Sequence, residues 1–237
     1  MIKQISILLF GFVISLTPIS LTAQEKNQLD SQGQRHGYWS KNFDGTDQPR
    51  YQGQFEHGQE TGLFKYYKLV NGKSLLSATK EFDLETDIAE VQFLSSEGNL
   101  ISKGKMKGRL FIGPWVYYHN DSDIVMTTET YNENGKLDGE RIVYYPDGKI
   151  AERVIYDNGK IDGLNIWYLE NGKVLKELNY TNGELHGEAK YFNPEGILIV
   201  EGQYQNGKKN GIWKYYEDGK LKETKDYSAK SQNPKKN

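Results

Sequence analysis

The chain has 237 residues, and its 30 basic and 32 acidic side chains leave a formal net charge of −2. A charge this balanced argues against a basic surface for nucleic acid, so we expect no nucleic-acid partner. The absence of cysteine excludes disulfide bonds, thiolate metal ligands and a lipid anchor attached through a thiol.

The N-terminus has the three parts of a secretory signal. Lys3 supplies the positive charge, residues 5–16 are mainly apolar, and Leu21, Thr22 and Ala23 precede a cleavage point before Gln24. The apolar stretch is too short for a transmembrane helix, which needs about 20 residues. We predict that residues 1–23 are a cleaved signal peptide and that the protein is exported, to the periplasm, the cell envelope or the medium. An uncleaved N-terminal anchor is the alternative; after cleavage we expect no stable membrane insertion.

Residues 24–36 are a polar leader that we expect to be loose. From Gly37 onward the chain repeats with a period of about 24 residues, a period that indicates a repeat architecture. The repeat domain should cover residues 37–227 in about eight units, with an irregular region at 74–112, followed by a disordered, lysine-rich tail at 228–237. The units begin at Gly37, Gly62, Ala89, Gly113, Gly139, Gly163, Gly187 and Gly211.

Each unit contains two strand-like runs of β-branched and aromatic residues, separated by turn signals such as Asp-Gly and Asn-Gly. These dipeptides favour tight hairpins, because a type I′ turn needs positive φ at both central residues. The sequence therefore predicts an all-β fold, an elongated antiparallel meander of stacked β-hairpin repeats in a single twisted or curved sheet. The glycines assigned to turns are Gly135, Gly148, Gly159, Gly172, Gly183, Gly196, Gly207 and Gly219.

The second and third units are the least regular. Ala89 replaces the expected unit glycine, and residues 75–88 contain an insertion. We expect a short helix or a bulged loop in this insertion.

Two segments carry a family resemblance. Residues 51–58 and 201–211 are similar to the MORN repeat, whose units read roughly Y-x-G-x-[WYF]-x-x-G-x-x-x-G. Val154 and Leu178 replace the middle glycine and Met106 replaces the aromatic residue, and these departures resemble bacterial MORN-variant repeats, including the YwqK-type antitoxin family. The resemblance covers about residues 37–227. It implies a sheet of stacked hairpins that serves as a non-catalytic interaction platform, without implying one partner.

The histidines do not form a catalytic or metal-binding pattern. His36 and His186 precede unit glycines, and His57 stands where other units have asparagine in a turn, so we interpret all three as polar turn residues. His119 lies in an acidic turn beside Asp121 and lacks the spacing of a calcium-binding loop. We expect no metal and no cofactor.

The glutamates show no special pairing either, and we expect them to form cross-strand pairs with Lys and Arg rather than to hydrolyse glycosides. The sequence has no nucleophile triad, no phosphate-binding glycine loop and no zinc motif. We therefore expect no enzymatic activity.

Aromatic residues recur two and four positions after the unit start, and residues two apart on a strand share a face of the sheet. We call the face that carries them the aromatic face. It can be a packing face in a sheet without a second layer, or a recognition surface. Its predicted binding residues are Trp39, Phe64, Tyr66, Trp115, Tyr117, Trp167, Tyr191, Trp213 and Tyr215.

These observations predict an exported, non-enzymatic scaffold that binds a protein or peptide along the aromatic face. A second hypothesis is binding of a glycan or the cell wall, because Trp and Tyr recur along one face. A third, an antitoxin or immunity role against a toxin that acts in the envelope, rests on the family resemblance alone.

Overall fold

The computed structural model describes residues 25–83 and 85–228. The predicted signal peptide lies outside this part of the chain, and so does the predicted tail apart from Ser228. Secondary structure in the described residues consists of strands, turns and bends. The strands are β1 (Gln28–Leu29), β2 (Arg35–Asn42), β3 (Pro49–Glu56), β4 (Gln59–Val70), β5 (Lys73–Phe82), β6 (Ile88–Leu94), β7 (Leu100–Lys107), β8 (Leu110–Tyr118), β9 (Val125–Tyr131), β10 (Gly139–Tyr144), β11 (Ile150–Asp157), β12 (Lys160–Ile161), β13 (Gly163–Tyr168), β14 (Val174–Thr181), β15 (Glu184–Phe192), β16 (Leu198–Gln205), β17 (Lys208–Glu217) and β18 (Lys220–Asp226).

The strands form one open antiparallel sheet of 18 strands in meander order. Without the two-residue strands β1 and β12, sixteen of these strands remain, which is two for each of the eight predicted units. Within a unit the glycine at the start pairs with the tyrosine at the end, as in Gly139 with Tyr156 and Gly187 with Tyr204. The all-β meander of hairpin repeats predicted from the sequence is confirmed.

The hairpins close with two kinds of turn. Between units, Asn158 and Gly159 both have positive φ (49° and 86°), which is the type I′ geometry. In the turn within the fifth unit only the glycine has positive φ: Gly148 has φ 82°, its N–H donates to Tyr145 O (2.9 Å), and the Tyr145 N–H donates to Lys149 O (2.8 Å). This is a three-residue loop closed by a glycine in the left-handed region, so assigning type I′ geometry to every Asp-Gly and Asn-Gly was wrong.

The strands that begin the units bend at their unit glycine. In β8, Gly113 has φ 61°, and the pairing jumps from Lys103 with Val116 to Lys105 with Ile112. Ala89 cannot adopt this backbone at low cost, and at this position β5 and β6 pair without a break. The bend is therefore a property of the unit glycine.

The predicted insertion at residues 75–88 contains no helix among its described residues. Most of it belongs to the long hairpin of β4 and β5, and a bend connects Phe82 to Ile88. The sequence prediction was wrong here because β4 and β5 are longer than the strands of the regular units. Their extra residues look like an insertion when the segment is aligned with the 24-residue period.

The leader is partly ordered. Gln28–Leu29 forms strand β1, which pairs with the first residues of β2. The Asn27 N–H donates to Tyr38 O (2.9 Å), and Asn27 Oδ1 accepts from the Ser40 N–H (2.8 Å). The expectation of a loose leader was wrong for these residues, because they cover the outer edge of β2.

Candidate functional site: the aromatic face

Three of the nine predicted binding residues are core residues. Phe64, Trp115 and Trp213 are each 0% exposed. Each ring lies over a glycine of the preceding strand: a Cβ built on Gly104 would meet the Trp115 ring at 2.4 Å, and Gly53 and Gly202 lie under Phe64 and Trp213 in the same way.

The bend at the unit glycine covers these rings from the other side. It folds the residue two positions before the glycine back over the aromatic face. Phe111 stacks on Trp115 with ring centroids 4.0 Å apart, and Lys209 Nζ lies 4.0 Å from the Trp213 ring centroid. Phe64, Trp115 and Trp213 therefore offer no ring surface to a partner, and their inclusion in the recognition surface is corrected. The six half-buried candidates are Trp39, Tyr66, Tyr117, Trp167, Tyr191 and Tyr215.

Tyrosine hydroxyl pairs recur along the aromatic face. Tyr191 and Tyr204 have their hydroxyl oxygens 3.2 Å apart, and the equivalent pairs of the fourth and eighth units are 3.3 Å apart. The second tyrosine of each pair lies at or next to the end of the second strand of its unit. It was visible in the sequence as a recurring Tyr, but was not assigned to the face. The pairs are Tyr117 with Tyr131, Tyr191 with Tyr204 and Tyr215 with Tyr227.

The middle of the aromatic face contains a polar cluster that sequence reasoning missed. Arg141 occupies the position that Trp115 and Trp213 hold in their units, and it contacts Glu129 (Nε to Oε2, 3.3 Å) and Glu152 (Nη1 to Oε2, 3.4 Å). Asn165 holds the same position one unit later and donates from Nδ2 to Glu152 Oε1 (3.2 Å). Because these side chains are buried or half-buried, each charge is compensated by a partner on a neighbouring strand.

The carboxylate of Glu129 also affects the nearby tyrosines. Tyr131 donates its hydroxyl to Glu129 Oε1 (2.5 Å). Burial first, and then this hydrogen bond, raise the pKa of Tyr131 to about 12. Burial is likewise the main cause of the raised pKa of Tyr117. Both hydroxyls therefore stay protonated at neutral pH.

Lysines lie over several half-buried rings. Lys176 Nζ is 3.8 Å from the Trp167 ring centroid, and Lys225 Nζ is 5.0 Å from that of Tyr215. Lys209, already placed over Trp213, also lies 5.2 Å from the Tyr227 ring. Contacts of this kind are favourable because the ammonium group meets the negative face of the ring. No signal in the sequence indicated the contacts of Lys176 and Lys225, since each joins residues on different strands.

Of the three histidines that were assigned to turns, one lies in a turn. His57 has φ 46°, the same left-handed geometry as Asn158, and its Nδ1 is 2.8 Å from Asp30 Oδ2. His36 and His186 lie within strands β2 and β15 and not in turns, which corrects their assignment. His119 lies in the loop after β8, and its Nε2 is 3.2 Å from Tyr144 O. Within residues 25–83 and 85–228, no group of three His, Cys, Asp or Glu side chains is arranged to hold a metal ion.

The opposite face of the sheet has a shallow depression of about 640 Å³ across β4 to β8. Its lining mixes apolar residues such as Leu63, Pro114 and Val116 with charged ones such as Glu81 and Lys103. Exposed aliphatic side chains also lie on this face, among them Leu164 and Ile212. No helix long and apolar enough to cross a membrane occurs in the part of the chain that the structure describes.

The bent hairpins, the ring-over-glycine packing and the shared turn geometry define a repeat scaffold. Four consecutive segments match the MORN repeat variant. Each match begins two residues before a unit glycine, so that it includes the residue that folds over the aromatic face. A comparison with curated proteins found no match. The matched segments are residues 137–158, 161–182, 185–206 and 209–229.

Proposed function

We propose that this protein is a non-catalytic repeat scaffold that binds another protein along the aromatic face. The observation that carries the proposal is the row of half-buried rings and hydroxyls on that face, over which the described residues place no second layer. Trp167 and Tyr191 lie on consecutive units of this row and expose part of their side chains. Large amphipathic rings of this kind are enriched where proteins meet.

The proposal includes export. The sequence of residues 1–23 supports it, and the mature chain would then meet its partner in the periplasm, the envelope or the medium. A chain without cysteine is indifferent to the oxidising conditions found there.

The experiment uses the mature chain as bait in envelope extract. Alanine at Trp167 and Tyr191 should abolish the capture of a reproducible, saturable protein partner. Tyr168 and Phe192, the neighbouring residues on the opposite face, provide the matched control, and alanine there should leave capture unchanged. Absence of any saturable protein partner for the unaltered chain would refute the proposal.

Glycan binding is the second candidate, supported by the recurrence of Trp and Tyr along one face. Sugars stack on open ring faces, whereas Trp115 and Trp213 are buried and Lys176 lies over the ring of Trp167. These contacts favour a protein partner. Titration with cell-wall fragments, followed by the fluorescence of Trp39 and Trp167, distinguishes the two: a saturable change would support the glycan.

An antitoxin role is the finer form of the same proposal, and the match to the MORN repeat variant carries no information on it. It requires a toxin that acts in the envelope, because the exported chain would not meet a cytoplasmic one. Rescue of cells that express a candidate envelope toxin would support this role, and failure to rescue would count against it.

A further inference from the structure

The last three units concentrate lysine on the aromatic face. Lys176, Lys209 and Lys225 share a face with Trp167 and Trp213, because each pairs with or contacts an aromatic residue of that face. The register of β13 to β18 also places Lys220 there, and Glu217 and Glu223 are the acidic side chains on this part of the face. Among the described residues, neither Lys176 nor Lys209 forms an ion pair with a carboxylate.

The opposite face of the same strands has the reverse charge. The register places Lys190, Lys208 and Lys214 on it, together with a larger set of carboxylates. Those carboxylates are Glu177, Glu188, Glu201 and Asp226. This part of the sheet is therefore polarised, basic on the aromatic face and acidic on the other.

The positive field is visible at Tyr215. Its hydroxyl oxygen lies 3.3 Å from that of Tyr227 and 3.3 Å from Lys209 Nζ. The hydrogen bond with Tyr227 first, and then the contact with Lys209, lower the pKa of Tyr215. Groups that favour a phenolate here would also favour the carboxylate of a ligand.

The geometry of the face favours a polypeptide over a lipid surface or a nucleic acid. Bases need open ring faces for stacking, but lysine ammonium groups lie over Trp167 and Trp213. A bilayer would meet protruding aliphatic side chains, but Leu164 and Ile212 belong to the opposite face.

The unit spacing also suits a peptide. Two strands span about 9.6 Å, close to the length of three residues in an extended or polyproline II chain. A peptide that crosses the strands would present every third residue to the same point of each unit.

We propose that the aromatic face of the last three units, residues 163–227, binds an acidic, extended segment of a partner protein. The lysines pair with its carboxylates, and the tyrosine hydroxyls donate to its carboxylates and main-chain carbonyls. This inference rests on the proposed scaffold function and names the chemistry of the partner at one part of the scaffold.

The test measures binding of a fluorescent peptide of repeated Glu-Pro-Pro, which has glutamate at every third residue, to the full mature chain. The K176Q/K209Q/K225Q variant should bind about tenfold more weakly, because exposed ion pairs contribute modestly and additively. The control variant K190Q/K208Q/K214Q makes the same change in net charge on the opposite face and should bind like the unaltered chain. A glutamine-for-glutamate peptide should not bind, and affinity should fall as salt rises.

Equal binding by both triple variants would overturn the inference, and so would a failure of the acidic peptide to bind. Lysine-dependent binding of phosphatidylglycerol vesicles, of a sulfated glycan or of a single-stranded oligonucleotide, but not of the peptide, would replace the peptide with that class of ligand. Should a partner captured from envelope extract bind the K176Q/K209Q/K225Q variant unchanged, this inference fails while the scaffold proposal stands. Absence of any captured partner defeats the scaffold proposal instead.

Discussion

At the scale of single residues, this one-layer sheet makes a core by matching volumes between neighbouring strands. A glycine lies beneath each of the rings of Phe64, Trp115 and Trp213. In the sixth unit, where Leu178 replaces the glycine, the residue facing it is small: Leu178 pairs with Ala189. In each of these pairs a large side chain on one strand faces a small residue on the neighbouring strand, and the summed volume of the two residues stays similar. A thin core reaches close packing in this way.

This volume matching predicts strong coupling between Gly104 and Trp115. Gly104→Leu should cost about 2–3 kcal/mol by overpacking, and Trp115→Ala about 3–5 kcal/mol by leaving a cavity. The double variant copies the pair of Leu178 and Ala189, so its loss should fall short of the sum by at least about 1 kcal/mol. Urea denaturation of the four proteins measures the coupling.

A distant pair provides the control for this cycle. Trp213 lies five units away from Gly104, so Gly104→Leu and Trp213→Ala should be additive within about 0.5 kcal/mol. Additivity in both cycles would contradict the volume matching, because the stability cost of changing Gly104 would then not depend on the residue at position 115.

At the scale of the hairpin, the two turn types place different demands on the sequence. The type I′ turns need two residues with positive φ, and asparagine precedes glycine in three of them, at Asn158, Asn182 and Asn206. The three-residue loops need only one, which is why Asp147 and Glu195 are accepted before the glycine. The choice of residue before each glycine follows from the backbone.

Replacement of Gly159 by valine tests this assignment. Its φ of 86° lies in a region that β-branched residues avoid, so we expect a loss of about 1–3 kcal/mol in the free energy of unfolding. Thr224→Val, in the exposed strand β18, is the control and should change stability by less than about 0.5 kcal/mol. Equal tolerance at the two sites in thermal or urea unfolding would contradict the type I′ assignment.

The sequence predicted the meander because hairpins are local: each turn and its two strands lie within one period of 24 residues. It did not predict which rings are buried. The burial of Trp115 depends on Gly104 below it and on Phe111 folded over it by the bend at Gly113. The contact of Lys176 with the ring of Trp167 likewise involves residues on two strands. Such contacts depend on register and backbone bends, which residue types alone do not specify.

At the scale of the whole molecule, the two ends of the sheet differ. The first edge is covered by β1 and by Asn27, and Asp30, which contacts His57, anchors this cap to the first turn between units. The hydrogen bond with His57 lowers the pKa of Asp30, so the contact persists in mildly acidic solution. The last strand, β18, is exposed along its length and rich in lysine, which discourages pairing with another copy.

An open sheet with protected ends should be a long monomer. Sixteen strands at about 4.8 Å each span roughly 75 Å, whereas a compact domain of about 200 residues has a radius of gyration near 17 Å. Small-angle X-ray scattering of the mature chain should therefore give a radius of gyration clearly above that compact value, with a maximum dimension of at least about 75 Å. Light scattering on the same sample must report the mass of one chain, because a dimer would also enlarge the particle. A monomer with the compact radius would mean that the sheet closes on itself, which would remove the open aromatic face on which the binding proposals depend.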